Sequence, residues 1–342
     1  MKQRLFTLFS VTLILLSTAH LVEARSKYLF KIGSLAPAGS VWVQQFKKFG
    51  AEVKKKTGGE VSFRVYPGGV MGDDQAMYRK MRVGQLHGGG FTMTGIARIV
   101  PDFRVMAIPF LFNSYEEIDY TLAGLLPTFK EKFQKKRLEL VAMTEVGFIY
   151  AMSTKPVATL SDLQNSSNWS PSGDPVSESF LAALGISPVQ LSIPDVLSSL
   201  QSGLVDTVYN SLYGSIVLQW FTKAKYITDV PYGYAYGVFL LDGRAYGKLP
   251  EKYKKIIHTA AAKHFPVLLE NTRASNLDSR QVLIKRGVTF VKADKGTIRR
   301  LREKRDEAVQ QLVKKSLSPE IYSQATALLS EFRKNQENGK DN

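Results

Sequence analysis

The chain has 342 residues, enough for about two domains of ordinary size, and 44% of them are hydrophobic, which excludes a largely disordered protein. It contains no cysteine, which excludes disulfides, thiolate catalysis, cysteine-bound metals and lipidation of an N-terminal cysteine. The formal net charge of +16 leaves an anionic partner, nucleic acid included, open at this point.

The first residues have the features of an export signal. Lys2 and Arg4 precede the apolar run 5–19, and the small residues within 22–24 suit cleavage by a signal peptidase. The run is shorter than the ~20 residues that a membrane span needs. We therefore expect a signal peptide over 1–24 and a periplasmic protein, with a retained N-terminal anchor as the weaker alternative.

The next part of the chain alternates between strand and helix patterns. Period-2 and period-3.6 spacing of apolar residues predicts strand, helix, strand, helix and strand in turn over 27–37, 40–59, 60–69, 73–86 and 88–95. The first helix has one apolar stripe, formed by Trp42, Phe46, Phe49 and Val53, which is expected to be buried. This order predicts a parallel sheet with right-handed crossovers.

The same alternation recurs further along. An unusually long strand is predicted over 138–154, followed by helix 176–185, strand 187–193, helix 194–203, strand 204–211 and helix 215–226. The stretch 161–175, with Trp169 among Asn, Ser, Gly and Pro, is typical of a surface loop. Residues 227–241 would form a return crossing, and the chain from Pro250 onward is mostly helical. The fold class is therefore α/β, with two lobes and a ligand cleft between them.

Motifs of known enzyme classes are missing from the sequence. It has neither a GxSxG elbow nor a phosphate-binding GxxxxGKS/T loop, and the glycines at 88–90 do not continue as GxGxxG. The histidines His258 and His264 are six residues apart, so one helix would not point both the same way. We expect no metal and no cofactor, and a binding protein is favoured over an enzyme.

The basic residues are scattered rather than gathered into one stripe. The clusters at 54–56, 130–137 and 299–305 are far apart and lie in helical sequence, the last two with interspersed glutamates. Solvated helix faces explain these basic clusters, and export from the cytoplasm argues against nucleic acid as a partner. An anionic membrane surface or an acidic partner remains open.

Four segments together resemble a known family. Residues 31–42, 66–86, 183–211 and 222–230 are similar, in order, to the solute-binding P subunit of tripartite ATP-independent periplasmic (TRAP) transporters of the DctP type. The resemblance implies a two-lobe periplasmic-binding-protein fold, type II-like, with crossing hinge strands and a helical C-terminal part. It also implies a receptor that delivers organic acids to an integral-membrane permease. More loosely, the chain resembles a spirochaetal subgroup that works with a tetratricopeptide-repeat protein and handles hydrophobic ligands.

The two-lobe fold gives expected domain limits. Lobe I would comprise 25–147 and about 235–274, and lobe II would comprise 148–234 and about 275–335. The ligand would lie in the cleft between them.

The family's carboxylate-binding arginine is replaced in this chain. In the family pattern an arginine follows the first crossing, and here Trp169 takes its place, while Asn210 keeps the asparagine that the family has in its other cleft loop. An indole offers one N–H donor and a large apolar face instead of the guanidinium fork. We expect Trp169 to face the cleft, with burial in the core of the lobe as the alternative. Arg64 or Arg98 could restore acid binding.

The predicted ligand site follows from these assignments. Its residues are Trp169, Asn210, Phe148, Thr94, Gln75, Pro37 and Tyr234. Tyr209, Trp220 and Tyr232 are further aromatic residues in segments that could approach the cleft. We expect a ligand with a substantial apolar part, and the rival functions are an enzyme that uses the cleft and a sensory or scaffold protein without a transport role.

Overall fold

The computed structural model describes residues 26–338, so the expected signal peptide lies outside the described residues. The strands are β1 (Tyr28–Ser34), β2 (Val61–Tyr66), β3 (Gly88–Thr92), β4 (Leu138–Ser153), β5 (Trp169–Pro171), β6 (Val189–Leu191), β7 (Thr207–Asn210), β8 (Tyr226–Thr228), β9 (Gly233–Asp242) and β10 (Thr289–Val291).

The α-helices range from one turn to 35 residues in length. They are α1 (Val41–Lys56), α2 (Asp74–Arg82), α3 (Met93–Ile96), α4 (Tyr115–Lys135), α5 (Leu160–Gln164), α6 (Pro175–Ala183), α7 (Val196–Ser202), α8 (Leu212–Val217), α9 (Gly243–Gly247), α10 (Glu251–Lys285), α11 (Lys295–Lys315) and α12 (Pro319–Asn338). Short 3₁₀ segments cover Pro101–Ala107, Ile193–Asp195 and Trp220–Thr222.

One mixed sheet runs through both lobes. Its strand order is β10-β8-β4-β9-β3-β1-β2, and β7 also pairs with β4. Strand β1 is parallel to β2 and β3, as the strand–helix alternation predicted. Strands β5 and β6 form a separate parallel pair, joined to β7 by a bridge between Asn168 and Thr207.

The long strand β4 connects the lobes, as predicted. Its first part pairs antiparallel with β9, from Leu138 opposite Asp242 to Ile149 opposite Gly233. Beyond that point, residues 150–153 pair with β7 and β8 on the other side of the cleft. The return crossing is β9 alone, because residues 229–232 interrupt the expected strand.

Helix α10 is the second connection between the lobes. Ile257 and Phe265 pack in a core with β1, α1 and β9, whereas Leu283 packs with Trp169 and Trp220 in the core of lobe II. One rigid helix therefore reaches both cores, which places the cleft against its middle.

The C-terminal helix departs from the expected lobe division. Ile321 and Leu329 of α12 are buried in the same core as Phe129 and Phe133 of α4, which belong to lobe I. Helix α11 instead packs against α6 of lobe II, with Ala308 beside Phe180. The expected placement of everything from about 275 to 335 in lobe II therefore fails for α12, because its apolar face matches that of α4. The rest of the division stays a proposal.

Two local predictions were wrong. The stretch around Trp169 is not a surface loop, since β5 pairs Trp169 with Val189 and buries it. The helix expected over 215–226 ends at Val217, because Gln219 adopts a left-handed conformation with φ of 61°. Within residues 26–338, no helix is both long and apolar enough to cross a bilayer.

Candidate ligand cleft

The cleft between the lobes contains two adjoining cavities, which we call the first and the second chamber. The first has a volume of about 120 Å³ and lies between β9, the segment after β3, and lobe II. Its lobe II wall is mainly aromatic and aliphatic and includes Trp169, Pro171, Val176, Phe180, Leu181, Tyr209 and Trp220. The opposite wall is formed by Tyr234 and Tyr236 of β9 and by Tyr232, which directly precedes this strand.

The second chamber has a volume of about 160 Å³ and lies largely against lobe I. Its walls come from β1, α1, β9 and α10, and include Leu35, Trp42, Phe46, Phe239, Phe265 and Leu268. Trp42 and Phe46 belong to the stripe of α1 that the sequence assigned to the core. Both are only half-buried, because that stripe covers a cavity as well as the sheet.

Trp169 takes part in both the core and the wall of the first chamber. The residue is 3% exposed and meets Trp220 edge to face, with ring centroids 5.4 Å apart. Its indole Nε1 donates a hydrogen bond to the backbone carbonyl of Leu191 at 3.0 Å. Trp169 therefore both packs in the core of lobe II and faces the cleft, two placements that the sequence left open as alternatives. Its only hydrogen-bond donor is already used within the protein.

Asn210 lies where the two chambers meet. It is 8% exposed, and it lines both cavities at the end of β7. Its amide oxygen accepts a hydrogen bond from the backbone N–H of Ser211 at 2.8 Å. The amide NH₂ group is thereby the part of this side chain with hydrogen-bonding capacity left for a ligand.

Thr92 and Thr94 bring a buried carboxyl group close to the cleft. Thr94 lines the first chamber and lies 3.0 Å from the hydroxyl of Thr92, measured between the two Oγ1 atoms. The Thr92 hydroxyl donates to Asp74 at 2.5 Å, and the Thr92 backbone N–H donates to the same carboxyl at 3.1 Å. Burial outweighs these bonds and raises the pKa of Asp74 to about 7.

Tyr234 connects the cleft to a charged network at the crossing strands. Its hydroxyl donates to the buried Glu145 carboxylate at 2.9 Å, and Arg273 of α10 donates to Glu145 and, on its other side, to Asp119. Burial raises the pKa of Glu145, with Arg273 and Tyr234 opposing that rise. The backbone carbonyl of Glu145 accepts from the Trp42 indole at 2.7 Å, which ties α1 to the same strand.

Among the described residues, no cationic side chain lines either chamber. The charged residues in these linings are Asp174 and Glu145, both carboxylates. Asp174 caps helix α6 by accepting from Ser177, and burial raises its pKa. The lining therefore offers nothing to neutralise an anionic ligand group.

Three of the predicted site residues lie outside the chambers. Phe148 packs between Tyr115 and Tyr234, with centroid distances of 5.0 and 6.0 Å. The carbonyl of Pro37 accepts from Ser40, the cap of α1, so its role here is to start that helix. Gln75 accepts from Arg98 at 3.1 Å beside a smaller cleft next to the first chamber.

The two candidate replacement arginines, Arg64 and Arg98, have exposed side chains, and neither lines a chamber. Sequence reasoning missed a third arginine, Arg104, which is 4% exposed and donates to the carbonyl of Ala97 at 2.8 Å. Burial lowers the pKa of Arg104. Arg104 is not among the residues that line either chamber. Within residues 26–338, no cluster of three or more His, Cys, Asp or Glu side chains could hold a metal ion.

Comparison with known proteins identifies the family. The sequence profile of bacterial extracellular solute-binding protein, family 7 (DctP), matches residues 32–316. The chain belongs to this family. The DctP family comprises binding proteins of transporters rather than enzymes, and its members are extracytoplasmic. The family resemblance and the fold class inferred from the sequence are thus confirmed.

Individual relatives are distant in sequence but similar in fold. A solute-binding protein of Roseobacter denitrificans is 25% identical over 272 residues, covering 77% of this chain and 81% of its own. The sugar acid binding protein of Advenella mimigardefordensis, solved with galactonate, has a TM-score of 0.84 at 20% identity, covering 90% of this chain and 99% of its own. A TRAP periplasmic solute-binding protein of Desulfovibrio salexigens, solved with orotic acid, has a TM-score of 0.81 at 22% identity, covering 89% and 98%.

Proposed function

We propose that this DctP-family receptor captures a small organic ligand with a substantial apolar part and delivers it to a TRAP-type permease. The observation that carries the proposal is the composition of the chamber walls. They combine Trp169, Trp220, Phe46 and many aliphatic side chains with carboxylates but no cation. Burying a mid-sized apolar side chain's worth of surface there contributes roughly 1.5–3 kcal/mol.

Electrostatics argues against a small dicarboxylate. A carboxylate in a buried site needs a cation or several donors to offset its lost hydration. The relatives solved with galactonate and orotic acid hold acidic, polar molecules. In this chain Trp169 has its single N–H bonded to Leu191. The charged lining residues, Asp174 and Glu145, are both carboxylates and offer an anion no compensating charge.

The bound ligand itself supplies the test. Protein purified under native conditions is denatured, and the released small molecules are identified by mass spectrometry. We expect a fatty or aromatic molecule from the wild type and its loss from Trp169→Arg, which places a guanidinium in the apolar wall. Ser167→Arg is the matched control, because Ser167 lies on the same segment with an exposed side chain. Recovery of succinate or malate from the wild type would contradict the proposal.

We further propose that the basic surface serves docking to membrane subunits or to a tetratricopeptide-repeat partner, and not nucleic acid. Helix α11 presents a solvated face of mixed charge rather than a continuous basic stripe. On this face Arg299 pairs with Glu303, and Lys304 pairs with Glu307. Sequence-selective DNA binding would overturn this part. Ligand uptake by cells that depends on both this chain and its permease would separate a transport receptor from a sensory or scaffold protein.

A further inference from the structure

The boundary between the two chambers is more polar than the rest of their walls. Five residues line both cavities: Thr92, Val146, Ile193, Asn210 and Tyr236. Three of these, Thr92, Asn210 and Tyr236, have polar side chains, and they lie where the two chambers adjoin. The walls farther away, in either direction, are mainly aromatic and aliphatic.

Most hydrogen-bonding capacity at this boundary is already used. The Thr92 hydroxyl donates to Asp74 at 2.5 Å, and the Tyr236 hydroxyl donates to the carbonyl of Phe103. The oxygen of Asn210 accepts from Ser211. The NH₂ group of Asn210 is the donor that remains, and a buried amide that stays unpaired reduces binding of any ligand that cannot accept from it.

From this arrangement we infer that one ligand spans both chambers, with an apolar arm in each and a neutral hydrogen-bond acceptor, such as a carbonyl, at its middle against Asn210. The inference rests on the proposed function and deepens it. A neutral acceptor fits because Asn210 can donate without a counter-charge, whereas a carboxylate at this depth would meet no cation. The two cavities, about 120 and 160 Å³, give the arms comparable space.

The acceptor is tested with probes of equal carbon number. Dibutyl ketone has a central carbonyl, nonane has none, and nonanoate carries a terminal anion. The affinity of the ketone relative to nonane, measured by titration calorimetry, is expected to be about tenfold higher for the wild type than for a variant without the Asn210 donor, the gain from satisfying one buried donor. Nonanoate is expected to bind more weakly than the ketone.

Substitutions at Asn210 show whether the preference comes from its NH₂ group. In Asn210→Leu, similar in size, this relative gain of the ketone over nonane should disappear. Asn210→Asp keeps the oxygen that accepts from the Ser211 N–H but replaces the NH₂ donor with a second oxygen. The ketone should therefore lose its advantage in this variant as well. Asn165→Leu, at an exposed site of the same lobe, should leave the wild-type preference intact. Circular dichroism confirms that each variant is folded.

Blocking each chamber separately tests whether one molecule occupies both. Ala107 lines the first chamber and Ala36 the second. Ala107→Phe and Ala36→Phe should each weaken ketone binding at least fivefold, with one molecule bound per chain. A ketone preference that survives Asn210→Leu, or a loss of affinity confined to one blocked chamber, would overturn the inference while leaving the apolar receptor standing. Binding of none of the probes to the wild type would overturn both.

Discussion

The indole of Trp169 donates its hydrogen bond to the backbone carbonyl of Leu191 at 3.0 Å, so this side chain holds strand β5 to β6. The same ring lines the first chamber and packs against Trp220. One side chain thus stabilises lobe II and also forms part of the apolar wall of the cleft. Substitutions should affect these two roles differently.

Replacing Trp169 should reveal its part in the fold. Trp169→Phe loses the bond to Leu191 and should lower the free energy of unfolding by about 1 kcal/mol. Trp169→Ala also opens a cavity beside Trp220 and should lower it by about 3–5 kcal/mol. Urea unfolding followed by circular dichroism measures both. If both variants lost a negligible amount of unfolding free energy, Trp169 would behave as a loop residue and not as a core residue.

Much of the fold follows from local sequence pattern, and the exceptions have identifiable causes. Strands β1 and β2 and the long β4 alternate clearly or carry long apolar runs. The bounds of β4 were predicted nearly to the residue, whereas the predicted β1 and β2 each ran three residues too far. Helix α8 was overextended, because the left-handed Gln219 has no signature that distinguishes it from a helical glutamine. Helix α12 was placed with the wrong lobe, since an amphipathic pattern gives the apolar face but not its partner.

The site was predictable in composition but not in detail. Trp169, Asn210, Thr94 and Tyr234 do line the cleft, and the family pattern pointed to that region. The second chamber was missed because the stripe containing Trp42 and Phe46 has the same spacing whether it packs on a core or faces a cavity. No pattern in a single sequence indicates that the Trp169 N–H is bonded to Leu191, since that contact joins residues of two different strands.

The buried carboxyl of Asp74 should make stability depend on pH. Its pKa is about 7 in the folded protein, against 3.8 as the ordinary value. Between about pH 4 and pH 7 the unfolded chain releases the proton while the folded chain keeps it, so the free energy of unfolding falls as the pH rises through this window.

Asp74→Asn should remove this component. The amide can still accept from the Thr92 backbone N–H, and its NH₂ can donate to the Thr92 hydroxyl. Urea midpoints of both proteins, compared at about pH 4 and about pH 8, give the test. We expect the wild type to lose more stability than the variant over this interval, and parallel pH profiles would refute the burial of an ionisable carboxyl at this position.

The ion pair of Arg273 with Glu145 should matter more than a similar pair on the same helix. Glu145 is fully buried, so Arg273→Gln leaves its charge without a partner and should lower the free energy of unfolding by about 3–5 kcal/mol. Arg280 pairs with the exposed Asp229 at 2.6 Å on the same helix, and Arg280→Gln should cost less than about 1 kcal/mol. Thermal unfolding of both variants checks the contrast, and equal losses would show that burial does not set the difference.

The central claim, that the cleft lacks the means to bind a small anionic ligand, is tested most directly by titrating succinate into the wild-type protein and into Trp169→Arg by calorimetry. We expect no measurable binding of succinate to the wild type at millimolar concentration, and detectable binding only where the guanidinium is introduced. Tight binding of succinate to the wild type, unchanged or weakened in Trp169→Arg, would contradict it.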